Sequence, residues 1–262
     1  MVSKERVEQR EAVLLENQGQ KIFGILHLPL AKERSPVVLV NHGIGGTKNG
    51  THRVYVMMAE ALARVGIATF RIDFRGCGDS EGDVSEMTVE GQIDDARAAL
   101  AYLHSHPAID STQIGLLGAS LGGPIAIGAA KEAKGVRSLA LWAPVASGTL
   151  WESDWATHYP QESMESVIRA GGTGPLFREQ FLQIEAHHAL AAMPHLSFLH
   201  VTAGADGVVF PGHADAYRTA REEAATLNRF LVLKESNHHF SHPEERKVLI
   251  EETTLWFKET LK

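Results

Sequence analysis

Apolar and polar positions along the chain fall into short runs that alternate between two periods. Pro36–Asn41 (PVVLVN) is β-branched and apolar almost throughout, the pattern of a strand buried on both faces. Tyr55–Val65 repeats its apolar residues at helical spacing and stops at Gly66. Strands are then predicted at Ile67–Ile72, Gln113–Leu117, Val136–Trp142, His195–Ala203 and Phe230–Lys234. Helices are predicted between them at Val89–His106, Leu121–Glu132, Gly212–Thr226 and Glu244–Leu261. At the N-terminal end, Glu11–Glu16 and Lys21–Leu28 flank the turn cluster Asn17-Gln18-Gly19-Gln20 and read as a hairpin.

This alternation implies an α/β fold: a mostly parallel central sheet with helices on both faces. The rhythm breaks once, from Pro144 to about Leu190, where no strand signal appears. A stretch of about 45 residues is too long for an ordinary connection. It is expected to be a small cap insertion, approximately residues 145–190, within a single domain of residues 1–262. Open α/β sheets bind ligands at the carboxyl ends of their strands, so the cap should lie over that edge.

Composition narrows the function classes. Hydrophobic residues make up 44% of the 262, enough for a sizeable core. A formal charge of −7 suits neither nucleic acid nor an anionic membrane surface. Cys77 is the single cysteine, so no intrachain disulfide can form. The start, Met1 to Glu8, is charged and does not read as a signal peptide. A cytoplasmic protein is expected.

The candidate chemistry begins at Gly118-Ala119-Ser120-Leu121-Gly122. A strand runs into this segment and a helix leaves it. Glycines two before and two after Ser120 make room for a sharp turn that exposes the central hydroxyl as a nucleophile. Serine needs a histidine base, and the histidine needs a carboxylate to hold its tautomer. In a fold of this kind the chain order is Ser, then Asp, then His. Asp206 follows the strand ending at Ala203 and is preferred to Asp215, which falls within a predicted helix. The contrasting reading of Asp206 is an aspartate that only shapes its turn. The base is one of His238, His239 and His242, beyond the last strand. Backbone N–H groups of Leu121 and Ile44, the latter in Asn41-His42-Gly43-Ile44-Gly45-Gly46, are the expected oxyanion donors. His42 reads as a structural hydrogen-bonder. Trp142, Trp151, Trp155, Tyr159 and Phe177 are candidate substrate-binding walls.

No cofactor is called for, and no metal site. His187-His188 and His238-His239-x-x-His242 are not expected to hold an ion, because adjacent helical histidines diverge and no acidic cluster of ligand spacing accompanies them. The expected partner is a small-molecule ester, with neither nucleic acid nor membrane, and a homodimer is compatible with the chain.

The loop Asp73-Phe74-Arg75-Gly76-Cys77-Gly78-Asp79-Ser80, with the pieces above in order, resembles the α/β-hydrolase superfamily from about Val13 to the C-terminus. Within it the chain is most similar to cinnamoyl/feruloyl esterases, through Asp73-Phe74-Arg75-Gly76, Gly78-Asp79-Ser80-Glu81-Gly82, Met87-Thr88-Val89 and the cap length. The resemblance implies a serine carboxylesterase acting through an acyl-enzyme on small or aromatic esters. That family's His-x-Phe pattern selects His238, and its Val-Val-x-Pro stretch selects Asp206. The sequence departs from the esterase group at Ala119 and Leu121, usually His and Gln, and at Glu235-Ser236-Asn237. A thioesterase, amidase or peptidase, or acyltransferase with the same triad is the alternative. A non-catalytic binding protein on the same fold is the contrasting class.

Overall fold

The structure is a computed structural model that describes residues 7–30, 33–163, 166 and 171–262. The charged start before residue 7, and residues 164–165 and 167–170 of the predicted cap, lie outside the described residues.

Eight strands form one sheet in the order β1-β2-β4-β3-β5-β6-β7-β8. They are β1 Glu8–Asn17, β2 Gln20–Pro29, β3 Ser35–Asn41, β4 Ala68–Ile72, β5 Ile109–Ala119, β6 Val136–Trp142, β7 Ser197–Ala203 and β8 Asn228–Leu233. The first two form an antiparallel hairpin, and β2 joins β4 antiparallel. The remaining pairings are parallel. The hairpin turns on Gln18 and Gly19, both at positive φ (52° and 80°), the backbone a tight two-residue loop requires.

Period-two alternation along the inner strands divides the core in two. Val37 and Leu39 join Phe70, Leu116 and Leu141 in one cluster. Val38 and Val40 join Leu117, Trp142 and Val201 in the other. Helices α2 (Val89–Ser105) and α3 (Gly122–Ala130) cover the first face. Helix α1 (Val54–Arg64) and the C-terminal helix α8 (Pro243–Thr260) cover the second. Two indoles bind α8 to β6: Trp142 Nε1 donates to Thr253 Oγ1 at 3.1 Å, and Trp256 Nε1 to the Leu139 carbonyl at 3.1 Å.

Among the described residues, β6 is followed before β7 by α4 (Gly148–His158), α5 (Pro175–Leu182) and α6 (Ala186–Ala191). The segment that showed no strand signal is thus largely helical among the described residues. The helix predicted over Gly212–Thr226 is shorter, α7 at Pro211–Ala220. Arg221 is the reason. Its buried guanidinium donates to the carbonyls of Met193 and Leu196 and to Asn228 Oδ1, which fixes the following residues as a loop. No helix among the described residues is long and apolar enough to cross a membrane.

Candidate active site

Strand β5 delivers Ser120 into a left-handed conformation (φ 54°) before α3 begins. Such strain costs roughly 1–3 kcal/mol and persists only where the surroundings enforce it. Here they are backbone. A Cβ on Gly118 would stand 2.3 Å from the Gly122 carbonyl oxygen, and one on Gly122 would stand 2.1 Å from that of Asn41. The Ser120 N–H donates to the Trp142 carbonyl at 2.9 Å, which ties the elbow to β6.

Gly43 packs on the nucleophile so closely that a Cβ there would stand 3.1 Å from Ser120 Cβ. His42 holds this loop. Its Nε2 accepts the Phe74 N–H at 3.1 Å, so Nδ1 carries the proton and donates to the Gly43 carbonyl at 2.7 Å. Burial pushes its imidazole below the usual histidine range, consistent with a neutral ring. His42 is therefore a structural hydrogen-bonder. Ile44 and Leu121, the expected oxyanion donors, both line the cavity that contains Ser120.

The Asp73–Ser80 loop supports the same turn. Asp73 is fully buried; its carboxylate accepts the Lys48 N–H and ammonium, both at 2.6 Å, and the Asp79 N–H at 2.9 Å. Gly78 (φ 56°) leaves room for that carboxylate, which a Cβ would meet at 2.2 Å. Arg75 forks onto Asp95. Sequence reasoning missed Lys48, although an aspartate predicted beside a buried strand end needs a counter-charge.

The two oxygens of Asp206 have separate tasks. Oδ1 accepts the N–H groups of Val208 and Val209 at 2.7 and 3.0 Å, and so shapes the turn. Oδ2 lies 2.8 Å from Nδ1 of His238. One side chain thus both shapes its turn and contacts an imidazole. Asp215 lies within α7. The His238 loop is anchored to α8, where the Glu245 carboxylate accepts the Ser236 hydroxyl at 2.6 Å and the Glu235 N–H at 3.1 Å. His239 also lines the cavity, and burial together with neighbouring His238 lowers its pKa. His242 instead caps α8, its ring accepting the Glu245 N–H. The His238-His239-x-x-His242 set is therefore not gathered at one point.

Ser120, His238 and His239 open onto a cavity of about 530 Å³. Among the described residues no hydrogen bond joins the Ser120 hydroxyl to His238; such contacts often tighten only around bound substrate. Trp142 from β6, and Trp151, Trp155 and Phe177 from the insertion, are in its walls. Tyr159 is not. Its hydroxyl turns away to donate to the Gly207 carbonyl at 2.9 Å. Tyr55, Phe181 and Phe240 are wall residues that sequence reasoning missed. Tyr55 and Phe181 could not have been picked out, because helical periodicity marks buried positions without saying which cavity they border.

The family profile described as "alpha/beta hydrolase fold" matches residues 36–200. The quorum-quenching protein AidA of Acinetobacter baumannii is 30% identical over 112 residues, 42% of this chain and 36% of the relative. The thiohydrolase aneE of Aspergillus aculeatus is 34% identical over 143 residues, 54% of this chain and 43% of the relative. The chain thus matches less than half the length of either. Est1E from Butyrivibrio proteoclasticus, solved with ferulic acid bound, superposes with a TM-score of 0.76 at 18% identity, covering 95% of this chain and 99% of Est1E. The profile match spans more than half of the chain, and the solved structure shares its fold. The chain belongs to the α/β-hydrolase family, and solved structures that share its fold include esterases.

Proposed function

We propose that the protein is a serine carboxylic-ester hydrolase with Ser120 as nucleophile, His238 as base and Asp206 as orienting acid. The observation that carries this reading is the 2.8 Å contact between Asp206 and His238 Nδ1, in a loop that shares one cavity with the left-handed Ser120. With Nδ1–H donated to the carboxylate, Nε2 is the free base. It takes the Ser120 proton as the hydroxyl oxygen attacks the ester carbonyl. The N–H groups of Ile44 and Leu121 receive the oxyanion. The imidazolium returns its proton to the departing alcohol, leaving an acyl-serine. Water then repeats the sequence and releases the acid.

Small or aromatic esters of the cinnamoyl or feruloyl kind are the proposed substrates. The aromatic, largely apolar wall supports this, as does the fold shared with an enzyme that binds ferulic acid. Thioesters are the second reading, favoured by similarity to a thiohydrolase. The first test is Ser120→Ala assayed on p-nitrophenyl acetate and butyrate. Turnover should fall by roughly 10⁴-fold or more; undiminished turnover refutes the assignment. Parallel assays of methyl ferulate and an acyl thioester rank the two substrate classes.

A further inference from the structure

We propose that Glu185, His187 and His188, at the root of α6, form a binding site for a divalent cation of the zinc type, separate from the Ser120 cavity. The sequence alone argued against it, since neighbouring helical histidines diverge. The local backbone overrides that argument. Glu185 precedes the helix with φ −133° and ψ 61°, and its carboxylate folds back across the first turn. Its Oε2 lies 3.8 Å from His188 Nδ1, and 3.6 Å from the His187 Nδ1 that faces the Ala146 carbonyl. The two imidazoles stand side by side, 4.0 Å between centroids and tilted by 39°. One donor atom from each of the three residues lies within 4.8 Å of the others. Tetrahedral zinc with bonds of about 2.0–2.2 Å spaces its ligand atoms by about 3.3–3.5 Å, so modest side-chain rotation closes the set.

The groups behind the ligands support the assignment. Metal-binding imidazoles commonly donate their second N–H to a carbonyl, and ligating carboxylates are themselves hydrogen-bonded. His187 Nδ1 donates to the Ala146 carbonyl at 3.1 Å, which leaves Nε2 as its bare donor. The Ser147 hydroxyl donates to Glu185 Oε1 at 3.1 Å, which leaves Oε2. His188, 74% exposed, completes the set from the solvent side. Two imidazoles and one carboxylate favour zinc, nickel or copper over magnesium or calcium. None of the three residues lines the Ser120 cavity. The proposed role is structural. Ala146 and Ser147 lead into α4, and Ser147 pairs with Glu185 as an isolated antiparallel bridge. An ion here would fix the first turn of α6, and with it the Glu185 that Ser147 pairs with at the root of α4.

Zinc chloride titrated into the chelator-treated full-length chain tests this by calorimetry and thermal unfolding. The expected result is one zinc per chain and a raised thermal midpoint that chelator reverses. Glu185→Gln and His188→Ala should each weaken binding at least roughly ten-fold, while His242→Ala leaves it unchanged. His188 is exposed, so its variant should fold, and circular dichroism verifies this. Absence of saturable binding, binding that survives both ligand variants, or binding lost in His242→Ala overturns the proposal. Neither readout depends on the hydrolase assignment.

Discussion

The elbow around Ser120 and the insertion between β6 and β7 face each other across one cavity, and they are held differently. At the elbow, backbone meets backbone at Gly118 against Gly122 and Gly122 against Asn41, with Gly43 against the Ser120 Cβ. The insertion has backbone contacts at its root, Gly148 against Phe181 and Ser147 paired with Glu185, but the part that borders the cavity is joined by rings. Trp151 stacks on Trp155 at 4.9 Å and meets Phe181 edge-on at 5.5 Å, while Trp155 packs on Tyr159 at 4.5 Å and His158 on Phe210 at 3.8 Å. Backbone contacts admit few alternatives, whereas a stack of rings can be repacked. Under the proposed function, the reacting groups stand on this rigid half, and the surfaces that choose a substrate stand on the adaptable half.

That contrast can be broken by mutation, and the largest effect should come from the rigid half. His238→Ala should lower kcat by roughly 10³–10⁴-fold, and His239→Ala by less than roughly ten-fold, at equal folding stability. Kinetics and unfolding of both variants decide it, and the reverse order would hand the base to His239. Next comes Gly122→Ala, which should cost roughly 3–5 kcal/mol in urea unfolding, because the added carbon meets a carbonyl that cannot withdraw. A loss under about 1 kcal/mol would show that the elbow yields after all.

A smaller effect is expected in the adaptable half. Trp155→Leu should raise KM for an aromatic ester by roughly five- to ten-fold, about 1–1.4 kcal/mol, and leave acetate turnover nearly unchanged. Equal losses on both substrates would mean that Trp155 holds the insertion together rather than contacting substrate. The remaining test concerns acid tolerance. His200 is buried on β7 beneath the Asp206 loop, among Phe198, Tyr217 and Phe230, with Arg218 and His213 also acting on it. Burial pushes its pKa down to about 3. The folded state therefore keeps the ring neutral while the unfolded chain protonates near pH 6.5. The stability tied to this neutrality is complete above that pH and falls on acidification, by up to about 1.4 kcal/mol per pH unit towards the folded value. His200→Phe should flatten the dependence of the urea midpoint between pH 6.5 and pH 5, two pH values bracketing the start of that loss. An unchanged slope would place the acid sensitivity elsewhere.

Strand and helix identities were legible because burial imposes periodicity. PVVLVN has the pattern of an inner strand and lies in β3, and β6 matched its predicted bounds, Val136–Trp142. The elbow was legible for a related reason: Gly118 makes room for Gly122, four positions on, within one strand-turn-helix segment. What the chain alone determined is thus the fold class and the places where backbone needs room, since both follow from local chemistry. Tertiary structure decided the rest. It set Nδ1 of His238 on Asp206 across 32 positions of sequence, gave Asp73 its partner Lys48, and turned Tyr159 from the cavity towards Gly207. It also brought Glu185 back across two histidines expected to diverge. These are pairings at a distance or departures from regular backbone. Neither leaves a periodic trace in sequence, because the energy of each contact depends on where folding brings its partner.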